Sequence, residues 1–316
     1  MKKFVLLTII LLAVVSCNNQ TKKKVDISKI DVNVAIDRFE QKFYTTNAQK
    51  LPELKNEYPY LFPEQNDSIW LNKIKDEQEL FELSQTVFGD FNKEKSQIQD
   101  LFKHVKSYQP NFEAPKIITL ITNLDYESKV VYADSLLFVS LDMYLGRDSN
   151  VYRDFPLYLA HNFDKSHLVV DIANALIENH FGGVTNRQFI DVMIHEGKKM
   201  YLLDCYLPAV SDAEKIGYPL NKNDWVVANE AQVWKYFIEN KLLYSSDNEL
   251  YSRFISDAPF SKFYIDIDKQ SPGKIGVWLG WQIVRSYMDN NHVTLQQLLQ
   301  TSTEEIFKKS KYKPKK

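Results

Sequence analysis

Apolar and polar positions divide the chain into helices interrupted by one short stretch of strand. Between residues 25 and 109 apolar residues recur near every 3.6 positions, most clearly over 37–43 and 67–87, which predicts amphipathic helices. Pro52, Pro59 and Pro63 break the intervening segment into short pieces. Two runs rich in β-branched residues, 117–121 and 136–141, read as strands, and Val130, Val131 and Tyr132 read as a third pairing between them. Helices resume after Gly146. One is expected over 166–181, ended by Gly182 and Gly183 in a left-handed cap. The next should open on a capping box, with Thr185 at the N-cap and Gln188 at N3, and run to about Cys205. Further helices are expected over 229–240, 250–256, 276–289 and 294–300. No repeat and no Pro/Gly/Ser-rich linker divides the chain, so residues 31–307 read as a single helix-rich α+β domain with a small β-sheet.

The first residues follow another logic. Lys2 and Lys3 precede an apolar run over 4–15, broken only by Thr8. The run is too short to cross ~30 Å of hydrocarbon but has the length of an export signal. It ends in Val14-Val15-Ser16-Cys17, which resembles a bacterial lipobox. That resemblance implies removal of a lipoprotein signal peptide (1–16) and diacylglycerol and palmitate on Cys17. Residues 17–30 then form the lipidated cysteine and a polar tether. Two or more acyl chains hold a protein firmly on a membrane, so the expected location is the cell envelope. No acidic run follows the cysteine, which favours a periplasm-facing anchor.

Composition narrows the chemistry. A formal charge of −2 supplies no positive field for nucleic acid. Only 9 glycines are present, and neither G-x-G-x-x-G nor G-x-x-x-x-G-K-[ST] occurs, so Rossmann and P-loop nucleotide sites lack their backbone requirements. With Cys17 and Cys205 alone, Cys-based zinc fingers and iron–sulfur clusters are excluded. Once Cys17 is alkylated, Cys205 has no intrachain disulfide partner. No cofactor is expected.

One helix carries a chemical question. In a zinc metallopeptidase helix two histidines stand at i and i+4, with a glutamate after the first as general base. His195 and Glu196 fit the first two roles, but the second histidine's position holds Lys199. A third ligand, commonly a glutamate on a later helix, could be Glu230. To ligate at pH 7, Lys199 would have to lose its proton, at a cost of about 4–5 kcal/mol. Ordinary zinc catalysis is therefore disfavoured. The sharper expectation is a relic site, in which the Lys199 ammonium stands in the metal's place, paired with Glu230 and Glu196. The plainer one makes His195 a hydrogen-bonded core residue and Lys198 and Lys199 a solvated helix face. The remaining alternative is an active envelope peptidase with a non-standard ligand set.

Longer motifs weigh on that choice. They are Ile194-His195-Glu196-Gly197-Lys198-Lys199 with Tyr201, Asn229-Glu230-Ala231-Gln232 with Trp234, Ala258-Pro259-Phe260-Ser261-Lys262-Phe263, and the run from Ser271 through Val284. Leu141-Asp142-Met143-Tyr144-Leu145-Gly146 lies upstream. Together they resemble the GldB family, gliding-motility lipoproteins of the Bacteroidetes distantly similar to zinc metallopeptidases. The resemblance implies a peptidase-like (zincin-like) fold. It also implies a lipid-anchored component required for gliding and linked to the associated protein-secretion apparatus, with other gliding or secretion envelope proteins as partners. It implies no demonstrated peptidase, since the departure at Lys199 is the family's own habit, so the expectation is a non-catalytic pseudo-peptidase.

Other candidates read as structural. Gly276 and Gly280, one turn apart, suit close helix packing rather than a phosphate cradle. Gly197, inside a helix at a cost near 1 kcal/mol against alanine, points the same way. His161, His167 and His180 are too dispersed to chelate one ion. Six lysines among residues 308–316 read as a frayed, solvated basic tail.

Overall fold

A computed structural model describes residues 25–181, 187–266 and 268–315. The export segment, Cys17, the tether through Lys24, the Gly182-Gly183 cap and the Thr185 cap lie outside the described residues. Five helices precede the sheet strands β2–β4: α1 (Phe39–Tyr44), α2 (Leu51–Glu57), α3 (Asp67–Asp76), α4 (Gln78–Phe88) and α5 (Asn92–Tyr108). After the sheet come α6 (Leu157–Ala160), α7 (Leu168–His180), α8 (Phe189–Tyr206), α9 (Asp212–Ile216) and α10 (Leu220–Ala228). The chain continues through α11 (Glu230–Glu239), α12 (Glu249–Phe254), α13 (Ile275–Asn290), α14 (Leu295–Gln300) and α15 (Thr303–Ser310). The molecule is helix-rich α+β, as the periodicity predicted.

The sheet holds β1 (Ile36–Asp37), β2 (Lys116–Leu120), β3 (Val130–Ala133) and β4 (Leu136–Ser140) in the order β1-β2-β4-β3. β1, β2 and β4 run parallel, while β3 is antiparallel to β4. Ile117, Ile118, Leu137 and Val139 are fully buried, as expected of parallel strands covered on both faces. β3 therefore forms an edge and does not lie between the other two strands. The turn from Ala133 to Leu136 is too short for anything but a hairpin with β4, and β2 fills the other side of β4.

Two helix predictions need correction. The 67–87 helix is two helices, divided at Glu77, whose carboxylate is drawn into the core by the Tyr44 hydroxyl and by Lys73 at 2.5 Å. The helix expected from Thr185 starts at Phe189, with Gln188 at the N-cap position rather than at N3. The predicted capping chemistry does appear at α14, where the Thr294 hydroxyl accepts from the Gln297 amide and the Gln297 side chain accepts from Thr294 N–H.

α8 is the axis of the C-terminal half. It packs chiefly on α13, with α5, α7 and α15 around it. A Cβ added to Gly280 would collide with the Met193 carbonyl, and one added to Gly197 would collide with the Gly280 carbonyl, so the two backbones touch. Gly276 fits likewise beneath Phe254, Ile255 and Phe189. Close approach of this kind fixes the rotation of α8 and so decides which residues face outward from the contact.

Candidate functional site

With Met193, Ile194 and Gly197 turned into the core, His195, Glu196, Lys198 and Lys199 come to the half-buried side of α8. Lys199 Nζ lies 2.7 Å from Glu178 Oε1, near the end of α7, and 3.3 Å from Glu196 Oε1 one turn back on its own helix. His195 Nε2 stands 4.0 Å from Glu196 Oε1, and its ring meets Phe181 edge to face at 5.1 Å. Lys198 turns elsewhere and donates to the carbonyls of Leu299 (3.2 Å) and Thr301 (2.8 Å) at the end of α14. The two lysines are thus tied down rather than solvated, contrary to the plainer expectation.

The electrostatics follow from this placement. Burial raises the Glu196 pKa above the usual carboxylate value even though Lys199 opposes it. Burial alone would lower Lys199, but its two carboxylate partners outweigh that effect and hold its proton more firmly than usual. His195 is pushed down to about 4, first by burial and then by the Lys199 charge, so its imidazole is neutral at pH 7. An ammonium held this way has no lone pair to offer a metal.

Glu230 does not join this cluster. It begins α11, is almost fully buried, and accepts a 2.6 Å hydrogen bond from Tyr312 Oη. Tyr312 in turn stands perpendicular to the Trp234 ring at 5.2 Å. The expected Lys199–Glu230 pair is therefore replaced by Lys199–Glu178, because Glu230 is engaged by the C-terminal segment. Among the described residues no three His, Cys, Asp or Glu side chains are grouped as metal ligands. The same contact corrects the basic tail: α15 runs past 307 to Ser310, Ser310 is buried, and Tyr312 is docked.

A second polar cluster adjoins the first along α7. Asp171 accepts from Lys129 and from Tyr144 Oη, both at 2.8 Å, and His167 Nε2 approaches it at 3.6 Å. His167 Nδ1 lies 3.0 Å from Glu214 of α9, a structural bridge between helices. Around the start of α13, Tyr218 Oη bonds the Gly273 carbonyl at 2.5 Å and Ser261 N–H bonds the Pro272 carbonyl at 2.9 Å. The two downstream motifs are thereby stitched together, and Lys274 pairs with Asp257 at 2.8 Å. Of the motifs singled out in the sequence, those over 194–199 and 271–284 meet where α8 packs on α13, and the one over 258–263 is bonded to the start of α13.

The family model described as gliding motility protein GldB matches residues 20–314. The chain belongs to that family. GldB membership makes it a gliding-motility protein. No curated protein and no solved structure matches the chain. The family's lipoprotein character suggests a membrane-anchored place in the envelope, and among the described residues no helix is long and apolar enough to cross a membrane. Sequence reasoning missed Glu178, Lys129 and Asp171. Glu178 stands 21 residues from Lys199, and nothing local in the sequence marks the pair.

Proposed function

We propose that this GldB-family chain is a non-catalytic component of the gliding apparatus, tethered to a membrane through lipidated Cys17 and serving the associated secretion machinery through protein contacts. In this reading its fold descends from a zinc metallopeptidase and keeps His195 and Glu196 as relics. The observation that carries it is the Lys199 ammonium, set between Glu178 and Glu196 at the position where a peptidase helix places its second histidine. A carboxylate partner on each side favours the charged lysine, and the charged lysine repels a dication. The position of α8 after a small sheet with an antiparallel edge supports the peptidase-like ancestry. The tether's composition and the preceding apolar run support the lipid anchor. Complementation of a gliding-deficient deletion strain tests the reading. A chain carrying Glu196→Gln should restore gliding as the unaltered chain does, because a relic glutamate performs no proton transfer. Loss of gliding with Glu196→Gln at normal protein level would contradict it.

A further inference from the structure

Among the described residues no strand pairs with the outer side of β3, and that edge opens into a groove. Ser140 N–H donates to the Lys129 carbonyl, which makes Lys129 and Ser140 a hydrogen-bonded pair. Opposite residues in an antiparallel ladder alternate between bonded and non-bonded pairs. Given the register Val130↔Val139, Val131↔Phe138 and Tyr132↔Leu137, Val131 bonds to β4, whereas Val130 and Tyr132 turn their N–H and C=O groups outward. Lys116 N–H bonds the Ser135 carbonyl, so the odd-numbered residues of this segment face β2, consistent with the same alternation. Two donors and two acceptors therefore stand along the outer edge of β3.

That edge borders a cavity of about 400 Å³, whose other wall is one stripe of α7: Asp171, Asn174, Ala175 and Glu178, spaced i, i+3, i+4 and i+7. The small Ala175 side chain leaves room in the middle, and Asn174 offers an amide. Native edge strands are usually blunted by lysine, proline or a bulge. Val-Val-Tyr-Ala in β3 carries none of these, and Lys129 just before it is drawn onto Asp171, whereas the opposite edge is only two residues long and is charged at Asp37. The lining holds three carboxylates (Glu127, Asp171, Glu178), of which Asp171 is paired with Lys129 and Glu178 with Lys199, so one negative charge, that of Glu127, is left without an ion-pair partner among these groups.

We propose that β3 receives an extended, lysine- or arginine-bearing segment of a partner protein as an added antiparallel strand, seated between β3 and α7. Main-chain bonds to Val130 and Tyr132 supply the affinity, and the Glu127 carboxylate selects a basic side chain over an acidic one. The proposal rests on the reading of the chain as an interaction protein and names the chemistry of its partner. Glu178 belongs both to this groove and to the Lys199 pair, so the relic site and the docking edge are contiguous.

The test uses the full-length protein and a fluorescent probe, acetyl-Thr-Lys-Val-Lys-Val-Lys-Thr-amide, with a control in which glutamate replaces each lysine. Saturable binding of the lysine probe is expected, with a dissociation constant on the order of 100 μM, and clearly weaker binding of the glutamate probe. Residue-resolved amide exchange should show Val130 and Tyr132 becoming protected on binding while Val131 is protected throughout. Val130→Pro removes an outward N–H without touching the β4 ladder, and Ala175→Trp fills the groove from the helix side. Either change should weaken the probe roughly tenfold or more. Absence of saturable binding, or binding that leaves the Val130 and Tyr132 amides exchanging freely, overturns the proposal. So does a concentration-dependent dimer that Val130→Pro abolishes, since a second copy would then be the occupant. Recovery of a cleaved probe would sink the non-catalytic reading while supporting strand addition, so the two can fail separately.

Discussion

An ammonium between two carboxylates and a neutral imidazole beside them define the chemistry of the α8 surface, and each group makes its own prediction. His195, held down to about 4, has a folded pKa below its unfolded value near 6.5. Its contribution to stability is therefore present above pH 6.5 and is lost as the pH falls through about 4. In urea unfolding between pH 6.5 and 4, His195→Gln should remove about 2 kcal/mol of the decline, after discounting for partial exposure. An NMR titration should place the ring's pKa near 4. Lys199 moves oppositely: its raised pKa gives stability that is present below the unfolded value and lost only as the pH climbs through the folded one. Glu178 is more than half exposed, so Lys199→Ala should cost only about 1 kcal/mol at pH 7, measured by denaturant midpoint. The candidate position was legible in the sequence because His-Glu and a lysine four residues after the histidine lie on one helical turn. The partner was not legible, because pairing Lys199 with Glu178 depends on how α7 packs on α8.

Helices α8 and α13 meet through glycine, and here local sequence was a good guide. A glycine inside a helix costs conformational entropy unless something needs the missing side chain, and Gly197, Gly276 and Gly280 each face a neighbour that a methyl group would strike. Gly280→Ala meets rigid backbone at Met193 and should destabilise by about 3 kcal/mol or prevent folding. Gly276→Ala meets in part the flexible end of Ile255 and should cost less, and thermal unfolding of the two variants gives the order. Strands were read less completely for a physical reason. β2 and β4 are apolar enough to announce themselves, but β1 has two residues and borrows its strand character from β2. The place of β3 at the edge is a property of topology, which periodicity does not encode.

Across the whole molecule, the last residues close the fold rather than trail from it. Tyr312 reaches back to buried Glu230 on α11, and Ser310 accepts from Ser286 Oγ at 2.8 Å through its carbonyl. Tyr312→Phe removes the hydroxyl and leaves a buried carboxylate short of a partner, so it should cost about 1–3 kcal/mol, whereas Lys313→Ala should change the unfolding midpoint hardly at all. The lysine-rich composition of the tail concealed this, because the anchoring residue is one tyrosine among cations. At the same scale, the Glu178–Lys199–Glu196 cluster and the open β3 edge sit side by side on a domain expected to hang from a short lipidated tether. That arrangement suits a protein that holds a partner near a membrane. The claim that it does so without metal chemistry is tested most directly by elemental analysis of the full-length protein purified without chelators. Zinc well below one atom per chain, unaffected by His195→Ala, is the expected result, whereas about one zinc per chain, lost on His195→Ala, would overturn the non-catalytic reading.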